Sequence, residues 1–168
     1  MLKENYASVQ LKSPSVTERL VPVSISRILV AFDGSEHSKK ATELAVDLAL
    51  KWNAELYFVH VLEETNIPEG FKEYARVEHV SPYDYFDEAN QQLLLPALDR
   101  AKAAGVGKVE SISLQGHPAD EILKAAQNHN VDLIILGSRG LGRFSRDFLG
   151  SVSTKVLNNA NCTCITVK

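Results

Sequence analysis

Residues 131–151 read VDLIILGSRGLGRFSRDFLGS, an apolar run followed by a segment with four glycines and three arginines. The run 131–136 has the length and composition of a buried strand. Long connections without secondary structure of their own are uncommon in small domains, and they usually serve a function or are disordered. We therefore predict that residues 137–151, called here the glycine loop, form a functional connection from a strand to a helix.

Strand and helix patterns alternate on both sides of the glycine loop. The apolar runs RILVAF, AELYFVHVLE and CTCITVK predict three more buried strands, and KVESISL alternates like a strand at the edge of a sheet. Helical periodicity follows the first strand as far as Trp52, which we expect in the core, and a second pattern spans residues 84–104. Pro96 predicts a kink or a break in that second pattern.

Two shorter helices, one in GHPADEILKAAQNHN and one in GSVSTKVLNNA, complete a count of five strands and four helices. Residues 64–86 have no clear assignment. The alternation predicts an α/β fold, a Rossmann-like open sandwich with a five-stranded parallel sheet and helices on both faces. For this sheet we take the strand order 3-2-1-4-5, which doubly wound sheets commonly have. In that order strands 1 and 4 flank the ligand crevice, so the residues that follow them, Asp33 and Gly137, are expected to meet there.

Composition narrows the classes of function. The 168 residues are 45% hydrophobic and 23% charged, with a formal net charge of -3, which gives no overall attraction to nucleic acid or anionic lipid. No signal peptide or membrane-length apolar segment is apparent, so we expect a cytoplasmic protein. We place the folded domain at residues 26–168 and an N-terminal extension at 1–25, either a flexible tail or a segment that docks on a second copy.

The two cysteines, Cys162 and Cys164, are two residues apart, so their side chains share one face of a strand. This spacing disfavours a disulfide, and no neighbouring ligands complete a zinc site. We expect buried or half-buried thiols, as in a reducing compartment.

Gly150 and Ser151 stand at the start of a predicted helix, where unpaired N–H groups favour an anion such as phosphate. The Walker A pattern is absent, and no dinucleotide-binding pattern follows the first strand. The spacing that is present is G-x2-G-x9-G-S. With ILVAFDGSEHS at the first strand, VHVLE at the second and GHPADEIL before the third helix, residues 27–168 resemble the ATP-binding branch of the universal stress protein family.

The resemblance implies a role for four residues near the ribose and base. Asp33 matches the aspartate that hydrogen-bonds the ribose hydroxyls, and Ala31 and Phe32 occupy the adjacent strand end. Val61 matches the residue whose backbone contacts adenine. Without the resemblance, Asp33 could equally be the N-cap of the following helix or a turn residue. Thr163, where many members carry proline, is a departure that does not touch these positions.

Five further residues match the phosphate-binding positions: Gly137, Gly140, Gly150, Ser151 and Val152. For Ser151, capping the helix is the alternative. Three arginines in the loop could clamp phosphate, although exposed arginines are more often solvated. Three histidines lie on separate predicted elements and do not indicate a metal or catalytic site, and no catalytic residue is predicted.

The resemblance implies an ATP-dependent sensor or regulator that forms a homodimer through the C-terminal strand, with ADP and AMP as alternative ligands and Mg²⁺ accompanying the nucleotide. Two alternatives remain. One is a slow ATPase or phosphotransferase, and the other is a nucleotide-free interaction module. The regulatory protein partner and the stress are not indicated by the sequence.

Overall fold

The computed structural model describes residues 24–63, 67–141 and 149–168, with backbone only for residues 82–91 and 93. Residues 1–23 lie outside this description, and with them most of the expected extension. In chain order the elements are β1 (Arg27–Ala31), α1 (Glu36–Trp52), β2 (Glu55–Leu62), α2 (Glu69–Val77), α3 (Pro82–Ala103), β3 (Val109–Gln115), α4 (Pro118–Asn128), β4 (Leu133–Gly137), α5 (Ser151–Asn159) and β5 (Thr163–Val167).

The strands form one parallel sheet in the order β3-β2-β1-β4-β5, which confirms the predicted topology. β1 is central. Its residue Val30 is aligned with Phe58 of β2 on one side and with Ile135 of β4 on the other. β3 lies at one edge, as its alternating sequence predicted, and β5 lies at the other.

Successive residues of the central strands enter two different cores. Ile28 and Val30 of β1 pack into a first core with α1 and α3, whereas Leu29 packs into a second core with α4 and α5. Both faces of the sheet are therefore covered by helices, which is the reason that the central strands are apolar throughout.

The structure has five helices in the described residues, one more than predicted. The additional helix is α2, in which Ala75 is the one fully buried residue and Tyr74 and Val77 are exposed. This helix was not predicted because the segment 64–86 is polar and contains prolines.

α3 continues through Pro96, so the predicted break is absent. Leu94 and Leu98, on either side of the proline, are both buried in the first core. This packing holds the helix together although proline removes one backbone hydrogen bond.

The expected burial of Trp52 was wrong, because its side chain is 46% exposed. α1 instead buries the small residues Ala41, Ala45 and Ala49 against the sheet. The helix ends at Trp52 and the chain reverses at Asn53 in the left-handed conformation, so the tryptophan lies at the rim. No helix within the described ranges is long and apolar enough to cross a bilayer.

Candidate functional site

The carboxyl ends of β1 and β4 are neighbours in the sheet, and the loops that follow them meet. A Cβ atom added to Gly140 would lie 2.5 Å from Oδ2 of Asp33. The glycine therefore leaves the carboxylate in direct contact with the backbone of the glycine loop. Any side chain at position 140 would compete with Asp33 for this space.

The turn after β1 fixes the Asp33 side chain. Its Oδ1 accepts a hydrogen bond from the Ser35 N–H at 2.9 Å, and Gly34 between them has a φ of 81°. Ser35, rather than Asp33, is the N-cap of α1, because its Oγ accepts from the Ser38 N–H at 3.1 Å. The alternative role of Asp33 as a helix cap is therefore wrong, and its second carboxylate oxygen faces the glycine loop.

Gly137 lies against the first turn of α1. An added Cβ would be 2.9 Å from the backbone of His37 and Ser38, a distance that real Cβ atoms do not reach. Glycine at this position is therefore required for packing, whatever its role toward a ligand. This close approach brings the beginning of α1 to the end of β4.

The two described ends of the glycine loop are joined by hydrogen bonds. The Gly150 N–H donates to the Ser138 carbonyl at 2.8 Å, and the Ser153 hydroxyl donates to the same oxygen at 3.0 Å. Gly150 is the N-cap of α5 and makes no side-chain cap, and Ser151 is the exposed first helical residue. Ser151 is therefore not the cap, and α5 begins at the crevice with uncapped N–H groups.

Three half-buried apolar residues line the crevice side of the second core: Ala31, Val61 and Val152. They come from β1, β2 and α5. Phe32, by contrast, is buried in the first core on the opposite face. The predicted base-side residues are thus divided between the two faces of the sheet.

The backbone of Val61 is directed toward the end of β1. The final hydrogen bond between β1 and β2 runs from the Phe32 N–H to the Val59 carbonyl at 2.8 Å. Backbone groups alternate along a strand, so those of Val61 point to the same side as those of Val59. The Phe32 carbonyl instead lies 2.9 Å from Nδ1 of His60. The His60 side chain, for which the sequence predicted no role, therefore contacts the Phe32 carbonyl at the point where the pairing of β1 and β2 ends.

Of the three loop arginines, Arg139 is described, and its carbonyl accepts a hydrogen bond from the Ser35 hydroxyl at 3.3 Å. This bond is a second link between the two loops. Arg143 and Arg146 lie outside the described residues. Within the described ranges, no group of three or more histidine, cysteine, aspartate or glutamate side chains could hold a metal ion.

Cys162 and Cys164 are free and half-buried, as predicted, and lie at the beginning of β5. Burial raises the pKa of the Cys164 thiol to about 11 and also raises the pKa of Cys162. Both thiols are therefore poor nucleophiles at neutral pH.

A separate groove of about 650 Å³ lies along α4 and the segment after α5, and is lined by residues that include Asp120, Lys124, Gln127 and Cys162. It contains none of the residues predicted for the nucleotide site. The crevice at the carboxyl ends of β1 and β4 is therefore a distinct feature.

Comparison with known proteins identifies relatives of this chain. Residues 24–168 match the model of the universal stress protein family. A Thermus aquaticus protein described as "Universal stress protein in QAH/OAS sulfhydrylase 3'region" is 38% identical over 145 residues, 84% of this chain and 97% of that protein.

Solved structures are similar over the same region. The structure of hypothetical protein MJ0577 superposes with a TM-score of 0.72 at 27% identity, covering 87% of this chain and 97% of the other. A universal stress protein solved in complex with cAMP has a TM-score of 0.64 at 26% identity, covering 86% and 97%. The family match over residues 24–168, the 38% identity and the shared fold show that this chain belongs to the universal stress protein family.

Proposed function

We propose that this protein binds ATP in the crevice at the carboxyl ends of β1 and β4, and that it acts as a nucleotide-dependent sensor or regulator. The observation that carries the proposal is the contact between Asp33 and Gly140. A carboxylate suited to ribose hydroxyls and a side-chain-free stretch of backbone suited to phosphates lie together in one crevice. A relative solved with cAMP supports an adenine nucleotide as the ligand class.

Each part of ATP has a matching group. The backbone of Val61, beyond the last bond between β1 and β2, can contact the adenine edge, with Ala31 and Val152 on the apolar side. Asp33 offers its second carboxylate oxygen to the ribose. The uncapped start of α5 offers N–H groups and the positive end of the helix dipole to the phosphates, with the Ser151 hydroxyl beside them. Mg²⁺ would enter with the triphosphate.

The first test is to denature freshly purified protein and identify the released nucleotide by chromatography and mass. Protein freed of nucleotide is then titrated with ATP by calorimetry, with and without Mg²⁺. We expect near-stoichiometric ATP or saturable binding of it. The absence of both would overturn the proposal.

Gly140→Ala is the sharpest single variant, because the added methyl group would meet the movable end of the Asp33 side chain rather than the backbone. We expect the carboxylate to be displaced and ATP affinity to fall about tenfold, with little change in Tm. Gly107→Ala is the matched control, since an added Cβ there meets nothing within 4 Å. Equal ATP affinity in the two variants would contradict the assignment of Asp33.

Catalysis is tested in the same preparation. A regulator is expected to release unchanged ATP, whereas a slow ATPase would accumulate ADP during incubation. If the wild type forms more ADP than Gly140→Val does, the result would favour an enzyme over a sensor. Phosphoryl transfer also requires an oriented nucleophile, for which the described residues suggest no candidate.

β5 is an edge strand, and no strand of the described residues pairs with its outer side, which suits a homodimer. The Val167 carbonyl points toward β4, so the backbone groups of Thr166 face the open edge by alternation. We propose that a second copy pairs with this edge, as unpaired edges favour association.

Sedimentation should show a dimer at micromolar concentration. Thr166→Pro, which removes an outward N–H, should give a monomer, while Thr166→Val should not. A monomeric wild type would refute the dimer.

A further inference from the structure

Ser138 is the most deeply buried polar residue in the described part of the glycine loop, with 1% of its surface exposed. It lies between Gly137 and Arg139, outside the positions that the nucleotide proposal uses. Its backbone and side chain together contact four residues in three separate segments of the chain.

The backbone of Ser138 connects β5 to the start of α5. Its N–H donates to the Val167 carbonyl at 2.7 Å, and its carbonyl accepts from the Gly150 N–H at 2.8 Å and the Ser153 hydroxyl at 3.0 Å. The Ser153 hydroxyl also contacts the Gly150 carbonyl at 3.1 Å. The position of the Ser138 carbonyl therefore determines where Gly150 and the first N–H groups of α5 lie.

The side chain of Ser138 points to the other side of the crevice. Its Oγ lies 3.2 Å from Nδ1 of His37, in the first turn of α1. That turn is continuous with Ser35, which holds the Asp33 carboxylate through its N–H. The pair Ser138–His37 thus links the phosphate side of the crevice to the ribose side through a part-buried hydrogen bond.

We propose that Ser138 and His37 are positioning residues that set the separation between Asp33 and the start of α5. This inference rests on the proposed nucleotide function and adds to it two residues that do not touch the ligand. A ligand that contacts both sides of the crevice, such as ATP, depends on this separation. Adenosine, which lacks phosphates, depends on the ribose and base side alone.

The test compares ATP and adenosine affinities by calorimetry for the wild type, Ser138→Ala, His37→Ala and the double variant. Loss of one hydrogen bond should weaken ATP binding about fivefold in each single variant, and adenosine binding less than twofold. Because both variants break the same bond, the double variant should be no weaker than either single one.

Two further variants separate positioning from a general loss of stability. His37→Asn keeps a polar atom near the position of Nδ1 and should restore most of the ATP affinity. Ser38→Ala is the matched control, because Ser38 is 2% exposed and its hydroxyl bonds only to the Ser35 carbonyl one turn away. It should leave ATP affinity within about twofold of wild type. If Ser138→Ala does not fold, the half-buried His37 variants carry the test.

The possible failures are distinguishable. A wild type that binds no ATP would overturn the nucleotide proposal and this inference with it. Wild-type ATP binding with unchanged affinity in Ser138→Ala and His37→Ala would overturn this inference alone. Equal losses for ATP and adenosine, or additive losses in the double variant, would also overturn it.

Discussion

The two ends of the sheet are built from different kinds of residue. At the amino end, charged side chains make hydrogen bonds to the strands and to the residues that precede them. The Asp132 carboxylate accepts hydrogen bonds from the backbone N–H groups of Ser26 and Arg27 at 2.8 and 2.9 Å. Glu55 accepts from the Tyr57 hydroxyl and from Lys108, so charged and aromatic groups close this end.

At the carboxyl end, the loops are joined by serine hydroxyls and backbone groups, and the nearest residues are glycines. No side chain of the described loop residues fills the space beside Asp33 at Gly140. Under the proposed function, the carboxyl end keeps backbone accessible to a ligand, whereas the charged groups of the amino end stabilise the fold. Parallel sheets place their ligands at this same end.

The largest expected effect comes from filling the carboxyl end. We expect Gly140→Val combined with Gly150→Val to weaken ATP binding by about 100-fold or more, because side chains enter the space proposed for the phosphates. Calorimetry measures the affinity, and circular dichroism confirms that the variant is folded. Wild-type ATP affinity in this variant would contradict the proposal that the nucleotide binds at the carboxyl end of the sheet.

Gly137→Ala tests a glycine at this end whose added Cβ would come too close to neighbouring backbone. The added Cβ would meet the backbone of His37 and Ser38 at 2.9 Å, so α1 or β4 must shift. We expect a loss of about 2 kcal/mol in the free energy of unfolding. Urea denaturation measures it, with Gly107→Ala as the control. An unchanged free energy of unfolding would show that α1 adjusts without cost.

Asp132→Ala removes the acceptor of two backbone hydrogen bonds at the amino end. We expect the free energy of unfolding to fall by roughly 1–2 kcal/mol while ATP affinity is unchanged. Asp132→Asn, which keeps an acceptor oxygen, should fall less. A decrease in ATP affinity in either variant would mean that the two ends are not independent.

Glu55→Gln gives the smallest effect, and it depends on pH. Hydrogen bonds from Tyr57 and then from Lys108 lower the pKa of Glu55 below 4.5. A lowered carboxyl pKa stabilises the folded state above the ordinary pKa, and this contribution is lost as pH falls through the folded pKa. The Tm of the variant should lie below wild type at pH 7 and approach it by about pH 3. A constant Tm difference from pH 7 to pH 3 would contradict this account.

The parallel sheet was predictable because the buried strands are apolar throughout and alternate with amphipathic helices, whereas its strand order was taken from the order common in such folds. α2 was missed because its segment is polar and contains prolines. The exposure of Trp52 was missed because it depends on tertiary packing that local periodicity does not contain. An amphipathic stripe indicates which face of a helix is inward. It does not indicate how far the sheet extends beneath the end of the helix, and Trp52 lies beyond the part that the sheet covers.

In the candidate site, the meeting of Asp33 with the glycine loop followed from the strand order and is observed. The binding roles of the predicted residues stay predictions. The sequence predicted no role for Ser138, His37 or His60, because a single serine or histidine has no characteristic spacing and acquires its partner only through the fold. Their signal was position, since Ser138 directly follows the end of a strand.

The hydrogen bond from the Ser138 N–H to the Val167 carbonyl can form only late in protein synthesis. The ribosome delivers Asp33, Gly140 and Ser151 before it delivers Val167, so the Ser138 N–H first exists without its acceptor. A nascent chain that ends before β5 also leaves one side of β4 unpaired. The junction between the loop and α5 therefore lacks this hydrogen bond until Val167 has emerged.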